Sequence, residues 1–249
     1  MTDDGHDFRA QRLFVEPELF AGARVPLSRE QGNYLLNVLR LGPDGPIRVF
    51  NGRDGEWMAV TAILGRRETA LDVTRQLRTQ IGGPDVHYLF APLKRSRLDY
   101  MVQKVVEMGV ARLQPVLTRY TIAERVKHER MRANVIEAAE QCGVLRIPEV
   151  AGPMQLDKLL AGWDASRRLI FCDEGAPIQD PVAVLRAVPA GPLAVLIGPE
   201  GGFSDDERSA LVQLPGVTQL SLGPRIMRAD TAAVAALALV NAVLGDWRG

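Results

Sequence analysis

Between residues 8 and 78, apolar and polar positions alternate with the two-residue period of half-buried strands. The runs are RLFV at 12–15, PIRVF at 46–50, EWMAVTAIL at 56–64 and ETALDVTRQL at 68–77. NGRDG at 51–55 supplies turn residues between the second and third runs. One helix interrupts the strands: Ser28 and Gln31 form a capping box, after which Tyr34, Leu35, Val38 and Leu39 recur at helical spacing. These features predict a small β-barrel domain over residues 1–78.

Glycine and proline punctuate residues 79–85, which read as a linker, and over residues 86–249 the period changes. HYLFA at 87–91 is strand-like. Leu98, Met101, Val102, Val105 and Val106 then form one face of a helix that stops at Gly109, and Met131, Val135, Ala138, Ala139 and Cys142 form the face of a second. RLIFC at 168–172, LAVLIG at 193–198 and TQLSLG at 218–223 read as buried strands. Alternating strands and helices predict an α/β fold with a mostly parallel sheet covered on both faces.

Composition narrows the function classes. The chain has 249 residues, 47% of them hydrophobic, enough for a sizeable core. Thirty basic residues balance thirty acidic ones, so a nucleic-acid partner would have to be met by a local basic face. Cys142 and Cys172 stand far apart without a CxxC or Cys/His spacing, which predicts two small buried hydrophobes and neither a disulfide framework nor a metal site. The opening MTDDGHDFRAQR is polar and acidic, unlike a signal or transit peptide. The apolar run at 232–244 contains Asn241 and is too short to span a bilayer. A cytoplasmic protein with no membrane partner is expected.

The chemistry concentrates in two C-terminal loops. In LIGPEGGFSDDE (196–207) an apolar strand runs into Gly198, Pro199, Gly201 and Gly202 before Ser204 and Glu207 cap a new helix. Such a turn exposes backbone amides at a helix N-terminus and lets a ligand approach closely. It lacks the lysine of a P-loop and departs from GxGxxG, which disfavours nucleotide-triphosphate and Rossmann dinucleotide sites. LSLGPRIMRADTAA (220–233) repeats the design with Gly223 and Pro224. In an open parallel sheet, two adjacent strands ending in such loops would frame one pocket beyond their carboxyl ends.

IGPEGGFS together with LGPRIMRADTA resembles the signature of the RsmE family, SPOUT-class methyltransferases of 16S ribosomal RNA. Lys94, Arg97 and QKVVEMGV (103–110) resemble the family's basic loop and following helix, and EAAEQCG (137–143) a further motif. YLLNVLRL (34–41) and IRVFNGRDGEW (47–57) resemble its PUA-like domain, so nearly the whole chain is covered. Met227 stands where a leucine is usual, Asp230 where a glutamate is usual and Cys142 where a serine is common, and Arg146 is displaced. The resemblance implies a SPOUT-type parallel sheet with a C-terminal trefoil knot over 86–249, a PUA-like β-barrel RNA-binding domain over 1–78, and a homodimer. It also implies S-adenosylmethionine as cofactor and methylation of N3 of one uridine in small-subunit ribosomal RNA, free or in the assembled subunit. A ribose 2′-hydroxyl or guanine N1 as acceptor, or a non-catalytic RNA-binding ribosome-assembly factor, are the alternatives that the residues leave open.

Methyl transfer from a sulfonium requires alignment and exclusion of water, with no metal. The cofactor walls expected are Leu196, Ile197, Gly198, Pro199, Gly201, Gly202, Leu220, Leu222, Gly223, Ile226 and Met227, with Glu174 of FCDEG lining the same pocket or standing as a solvated loop acid. Arg228 is the candidate cation for an anionic uracil, or alternatively a phosphate or surface contact. Glu200 binds a ligand group or complements the following helix N-terminus. Lys94, Arg95, Arg97, Arg119 and Arg125 are the candidate RNA contacts.

Overall fold

The computed structural model describes residues 11–65, 68–122 and 126–248. By its contacts the chain divides into two compact units: Met1–Gly82 together with Ala139–Ile147, and Gly83–Ala138 together with Pro148–Gly249. No sequence pattern indicated that residues 139–147 group with the first unit.

The first unit is a five-stranded sheet of β1 (Arg12–Phe14), β2 (Arg24–Pro26), β3 (Pro46–Phe50), β4 (Glu56–Gly65) and β5 (Glu68–Arg78), in the order β1-β3-β4-β5-β2. All pairings are antiparallel except β1 with β3. The NGRDG turn joins β3 to β4: the Asn51 side-chain oxygen accepts from the amides of Arg53 and Asp54, an Asx turn. Alternate strand residues Leu13, Val25, Ile47, Val49, Ala59, Leu71 and Val73 point into one apolar core, with Leu35 added from the helical segment.

Helix α1 (Arg29–Asn33) begins at Ser28, where the reciprocal capping box with Gln31 is formed. It continues into one wide turn, Tyr34–Val38, in which the Leu39 amide donates to the Tyr34 carbonyl at 2.9 Å. The wider turn rotates the expected apolar face, so Leu35 is buried while Tyr34 and Val38 are exposed.

A buried ionic cluster anchors this unit. Glu56, fully buried at the start of β4, accepts from Arg12 Nε at 2.5 Å and Arg78 Nε at 3.0 Å, with Arg48 at 3.5 Å. Arg12 also lies over the Phe50 ring. Arg12 donates to the carbonyls of Ala139, Glu140 and Val144, and Arg78 to that of Gly143. These carbonyls lie at and just beyond a helix C-terminus, where backbone acceptors have no partner of their own.

The second unit contains β6 (Val86–Phe90), α2 (Arg95–Glu107), β7 (Arg112–Leu117), α3 (His128–Cys142, its last residues in the first unit), β8 (Glu149–Val150) and β9 (Met154–Gln155). Then follow α4 (Leu156–Ala161), β10 (Arg168–Cys172), α5 (Pro181–Arg186), β11 (Leu193–Ile197), α6 (Asp205–Val212), β12 (Val217–Leu220) and α7 (Ala229–Val243). All pairings are parallel, in the order β12-β10-β11-β6-β7-β8, with β9 also on β7. Leu89, Phe171 and Leu196 face α4 and α6 through Leu156 and Leu211. Tyr88 alternates with Leu89 along β6, and its hydroxyl donates to Met101 Sδ of α2. The sheet is therefore covered on both faces, as its continuous apolar strands require.

Helix α7 buries Ala232, Ala233, Ala236, Leu237, Val240 and Asn241, while Val234, Ala235, Ala238 and Leu239 are half-buried. Asn241 is satisfied by donating to the Met108 carbonyl at 2.8 Å. No helix among the described residues is long and apolar enough to cross a membrane.

Candidate active site

Strands β10, β11 and β12 end level with one another: Cys172 lies opposite Ile197 on one side and Leu220 on the other. Their following loops consequently emerge together at the carboxyl edge of the sheet. Leu196, Ile197 and Leu220 are buried strand ends, and the carbonyls of Ile197 and Leu220 already accept from the amides of Ala91 and Asp173. Cys142 and Cys172, expected to be buried, are each half-buried, and desolvation of the Cys172 thiol pushes its pKa up to about 12.

The loop after β11 is shaped by its glycines. A Cβ at Gly198 would meet the Phe203 ring at 2.5 Å, and Phe203 is held edge-on to Phe171. Gly202 has φ +69°, its amide donates to the Pro199 carbonyl, and a Cβ there would lie 2.7 Å from Glu174 Oε1. The loop is thus packed against Glu174, which is itself exposed. Ser204 and Glu207 form the expected reciprocal capping box that starts α6.

In the loop after β12, Leu222, Gly223 and Met227 are half-buried and Ile226 is 94% exposed. Gly223 has φ +103°, and none of the described residues comes within 4 Å of where its Cβ would be, so this loop faces open space. Arg228 is exposed and forms the N-cap of α7 without a side-chain hydrogen bond to the helix.

Arg97, in the first turn of α2, joins the two walls. Its Nη1 donates to Glu200 Oε1 at 2.6 Å, and its Nε approaches Asp230 Oδ2 at 3.5 Å. One cation thereby bridges the loop after β11 and the first turn of α7. Lys94, the N-cap of α2, and Arg95 and Arg119 are exposed at the same carboxyl edge. Arg125 lies outside the described residues.

Asp173 carried no signal apart from its position after an apolar strand, yet it organises the site. Its Oδ2 accepts from Arg208 Nε at 3.0 Å and Gln219 Nε2 at 2.8 Å, and its Oδ1 from the Gly175 amide at 2.9 Å. It ties the loop after β10 to α6 and β12. A cavity of about 240 Å³ opens beside it, lined by Ala176, Pro177, Gln179, Pro181, Val184, Gln219, Leu220 and Ser221. Of the residues expected from sequence, this cavity takes in Leu220 alone. Among the described residues no cluster of three or more His, Cys, Asp or Glu side chains could hold a metal ion.

Residues 82–241 match the profile of an RNA methyltransferase domain, and residues 27–67 match that of an RNA methyltransferase PUA domain. The chain belongs to this RNA methyltransferase family. Within the family it is 33% identical to a Synechocystis protein named ribosomal RNA small subunit methyltransferase E, over 94% of this chain and 78% of that one. Two solved structures superpose closely. A ribosomal RNA small subunit methyltransferase E from Neisseria gonorrhoeae bound to S-adenosylmethionine has 26% identity and a TM-score of 0.84, covering 96% of this chain and 99% of that one. A methyltransferase from Legionella pneumophila with the cofactor SAM bound has 29% identity and a TM-score of 0.83, with the same coverage.

Proposed function

We propose that this protein transfers a methyl group from S-adenosylmethionine to N3 of a uridine in small-subunit (16S) ribosomal RNA, acting in the cytoplasm as a homodimer. The observation that carries the reading is the level ending of three parallel strands in loops that meet at one edge of the sheet. Relatives of the chain are named for small-subunit RNA, and two structures similar to it were solved with the methyl donor.

The residues fit that donor. Among the described residues no charged side chain lines the 240 Å³ cavity, whose amide and hydroxyl groups on Gln179, Gln219 and Ser221 suit a neutral heterocycle and a ribose. The open Gly223 wall leaves backbone groups accessible. Leu196, Ile197, Gly198, Pro199, Gly201, Gly202, Leu222, Ile226 and Met227, which lie outside that cavity, would contact the rest of the donor from the loops after β11 and β12, and Glu174 is available to a hydroxyl or ammonium group. When bound, S-adenosylmethionine supplies a methyl carbon on a sulfonium. Arg228 holds a positive charge at the mouth and favours the N3-deprotonated uracil ring. Glu200 is held by Arg97 and so orients the loop rather than taking a proton.

A trefoil knot is consistent with the strand order, because the chain leaving β11 passes β10 to form β12 before α7 returns against β11. The half-buried apolar side of α7 is the face proposed for the second subunit. A closed barrel is the corresponding reading for the PUA-like sheet, with RNA positioning its role.

Mass mapping of small-subunit RNA from cells lacking the gene, before and after incubation with purified protein and donor, tests the proposal. A methyl group gained on a uridine base is expected. No gain on any nucleotide would sink the enzymatic reading, and a gain on a ribose or a guanine would reassign the acceptor.

A further inference from the structure

The turn after β7 presents a feature that the methyl-donor cleft does not use. Thr118–Thr121 is a tightly built turn: the Thr121 amide donates to the Thr118 carbonyl at 3.1 Å, the Thr118 amide donates to Thr121 Oγ1 at 2.9 Å, and the two hydroxyls are 3.0 Å apart. The Arg119 amide donates to Glu207 Oε1 at 2.8 Å, and the other oxygen of that carboxylate caps α6 at Ser204. The turn is therefore fixed to the helix that follows the glycine loop. Tyr120 sits at its tip, 45% exposed, and rests on Gly201, where an added Cβ would lie 3.2 Å from Tyr120 Cβ. Arg119 beside it is exposed.

We infer that this turn is a subsite for one unpaired nucleotide of the RNA, with its base stacked on Tyr120 and its phosphate held by Arg119. The inference rests on the RNA reading above and names a contact surface within it. A single exposed tyrosine is ordinary on a protein surface. This one stands on a turn fixed by four polar contacts, at the carboxyl edge of the sheet beside a cation, and the base of its side chain packs against a glycine of the proposed cofactor loop. A fixed backbone leaves only the two side-chain torsions of the tyrosine to be ordered when a base stacks on it, and an aromatic next to a cation is the combination that grips single strands. Seating a base on Tyr120 would bring a flanking nucleotide against the loop that frames the donor, which orients the target without reading its sequence.

The test is fluorescence anisotropy with labelled oligouridylate and with a fully paired RNA hairpin of equal length, alongside steady-state methyl transfer on small-subunit RNA. Tyr120→Ala should weaken oligouridylate binding about 5- to 150-fold, the equivalent of about 1–3 kcal/mol per stacked base. It should leave hairpin binding within about twofold. Tyr120→Phe and Tyr120→Trp should bind as the wild type does, because the ring and not the hydroxyl carries the contact. Arg119→Ala should lower the slope of log K against log salt by about 0.7, one single-strand phosphate. Wild-type-like binding by Tyr120→Ala, or equal losses in Tyr120→Ala and Tyr120→Phe, would overturn the subsite. If Tyr120→Ala does not fold, an unchanged salt slope in Arg119→Ala overturns it instead. Wild-type protein that binds oligouridylate without methylating RNA would sink the enzymatic proposal and leave the subsite standing.

Discussion

Replacing Arg97 by glutamine separates two roles that its position allows. As a free cation after a strand end it would hold a phosphate, whereas in the structure it is committed to Glu200 and Asp230. The Glu200 pair is 2.6 Å long and partly exposed, with side chains 28% and 43% accessible, so about 0.2–1 kcal/mol is its share after solvent screening. The Asp230 contact is longer, at 3.5 Å, but its carboxylate is only 16% exposed, and a similar amount is reasonable. Together they stabilise the joined arrangement of the two candidate cofactor loops by about 0.4–2 kcal/mol. Arg97→Gln should accordingly raise the Kd for S-adenosylmethionine about 2- to 30-fold in titration calorimetry. The difference from wild type should shrink between low and high salt, because partly exposed pairs are screened. RNA affinity measured by filter binding should keep its salt slope. A donor Kd within twofold of wild type, combined with a slope reduced by one phosphate, would refute the clasp and return Arg97 to the RNA surface.

Arg228→Ala removes an exposed side chain that makes no cap hydrogen bond, so the melting temperature should stay within about 1 °C and donor binding within threefold, while methyl transfer falls by at least about a hundredfold; an unchanged rate removes Arg228 from the chemistry. Gly202→Ala forces a side chain into φ +69° and against Glu174, at a backbone cost of about 1–2 kcal/mol, and should weaken donor binding about tenfold by calorimetry, with unaltered binding arguing against a ligand at this loop. Glu56→Gln removes the buried negative charge that neutralises Arg12, and a loss of about 3 kcal/mol, or roughly 6–12 °C in melting temperature, is expected by scanning calorimetry. Burial alone would raise the Glu56 pKa, but hydrogen bonds from Arg78 and Arg12 outweigh it and hold the carboxyl below its usual value. Its stabilisation is therefore full above the ordinary carboxylate range and is lost as pH falls through the depressed folded value, so the gap between wild type and Glu56→Gln should close toward strong acid.

The elements that were legible are those specified by local chemistry. Both capping boxes, Ser28 with Gln31 and Ser204 with Glu207, depend on side chains three residues apart, and both are formed. The apolar runs of β6, β10 and β11 were legible because strands buried on both faces leave no polar alternation. Strand β7 was not, since RLQPVL carries Arg112, Gln114 and Pro115. Pro115 falls between the pairing of β8 with Arg112 and Leu113 and that of β9 with Val116 and Leu117, the break at which a residue without an amide hydrogen is tolerated. Strands β2, β8 and β9 are two or three residues long, below any period. The insertion of β10 between β11 and β12 depends on long-range pairing that no local pattern encodes.

The same distinction divides the candidate site. Gly202 and Gly223 stand out in sequence because their role is conformational and local, whereas Gly198 leaves room for the Phe203 ring. The role of a charged side chain depends instead on what the fold brings to it. Arg95 and Arg97 are two residues apart and look alike in sequence, yet Arg95 is exposed while Arg97 is held by acids 103 and 133 positions away. Arg130 is similarly taken by Asp99, at 2.9 Å from Nε to Oδ1. Counting cations along the chain therefore overstates the surface that can release counterions from RNA. Each phosphate contact adds about 0.7 to the salt slope for a single strand, so a slope smaller than the number of basic residues near 94–130 would suggest is the expected signature of cations already engaged within the protein.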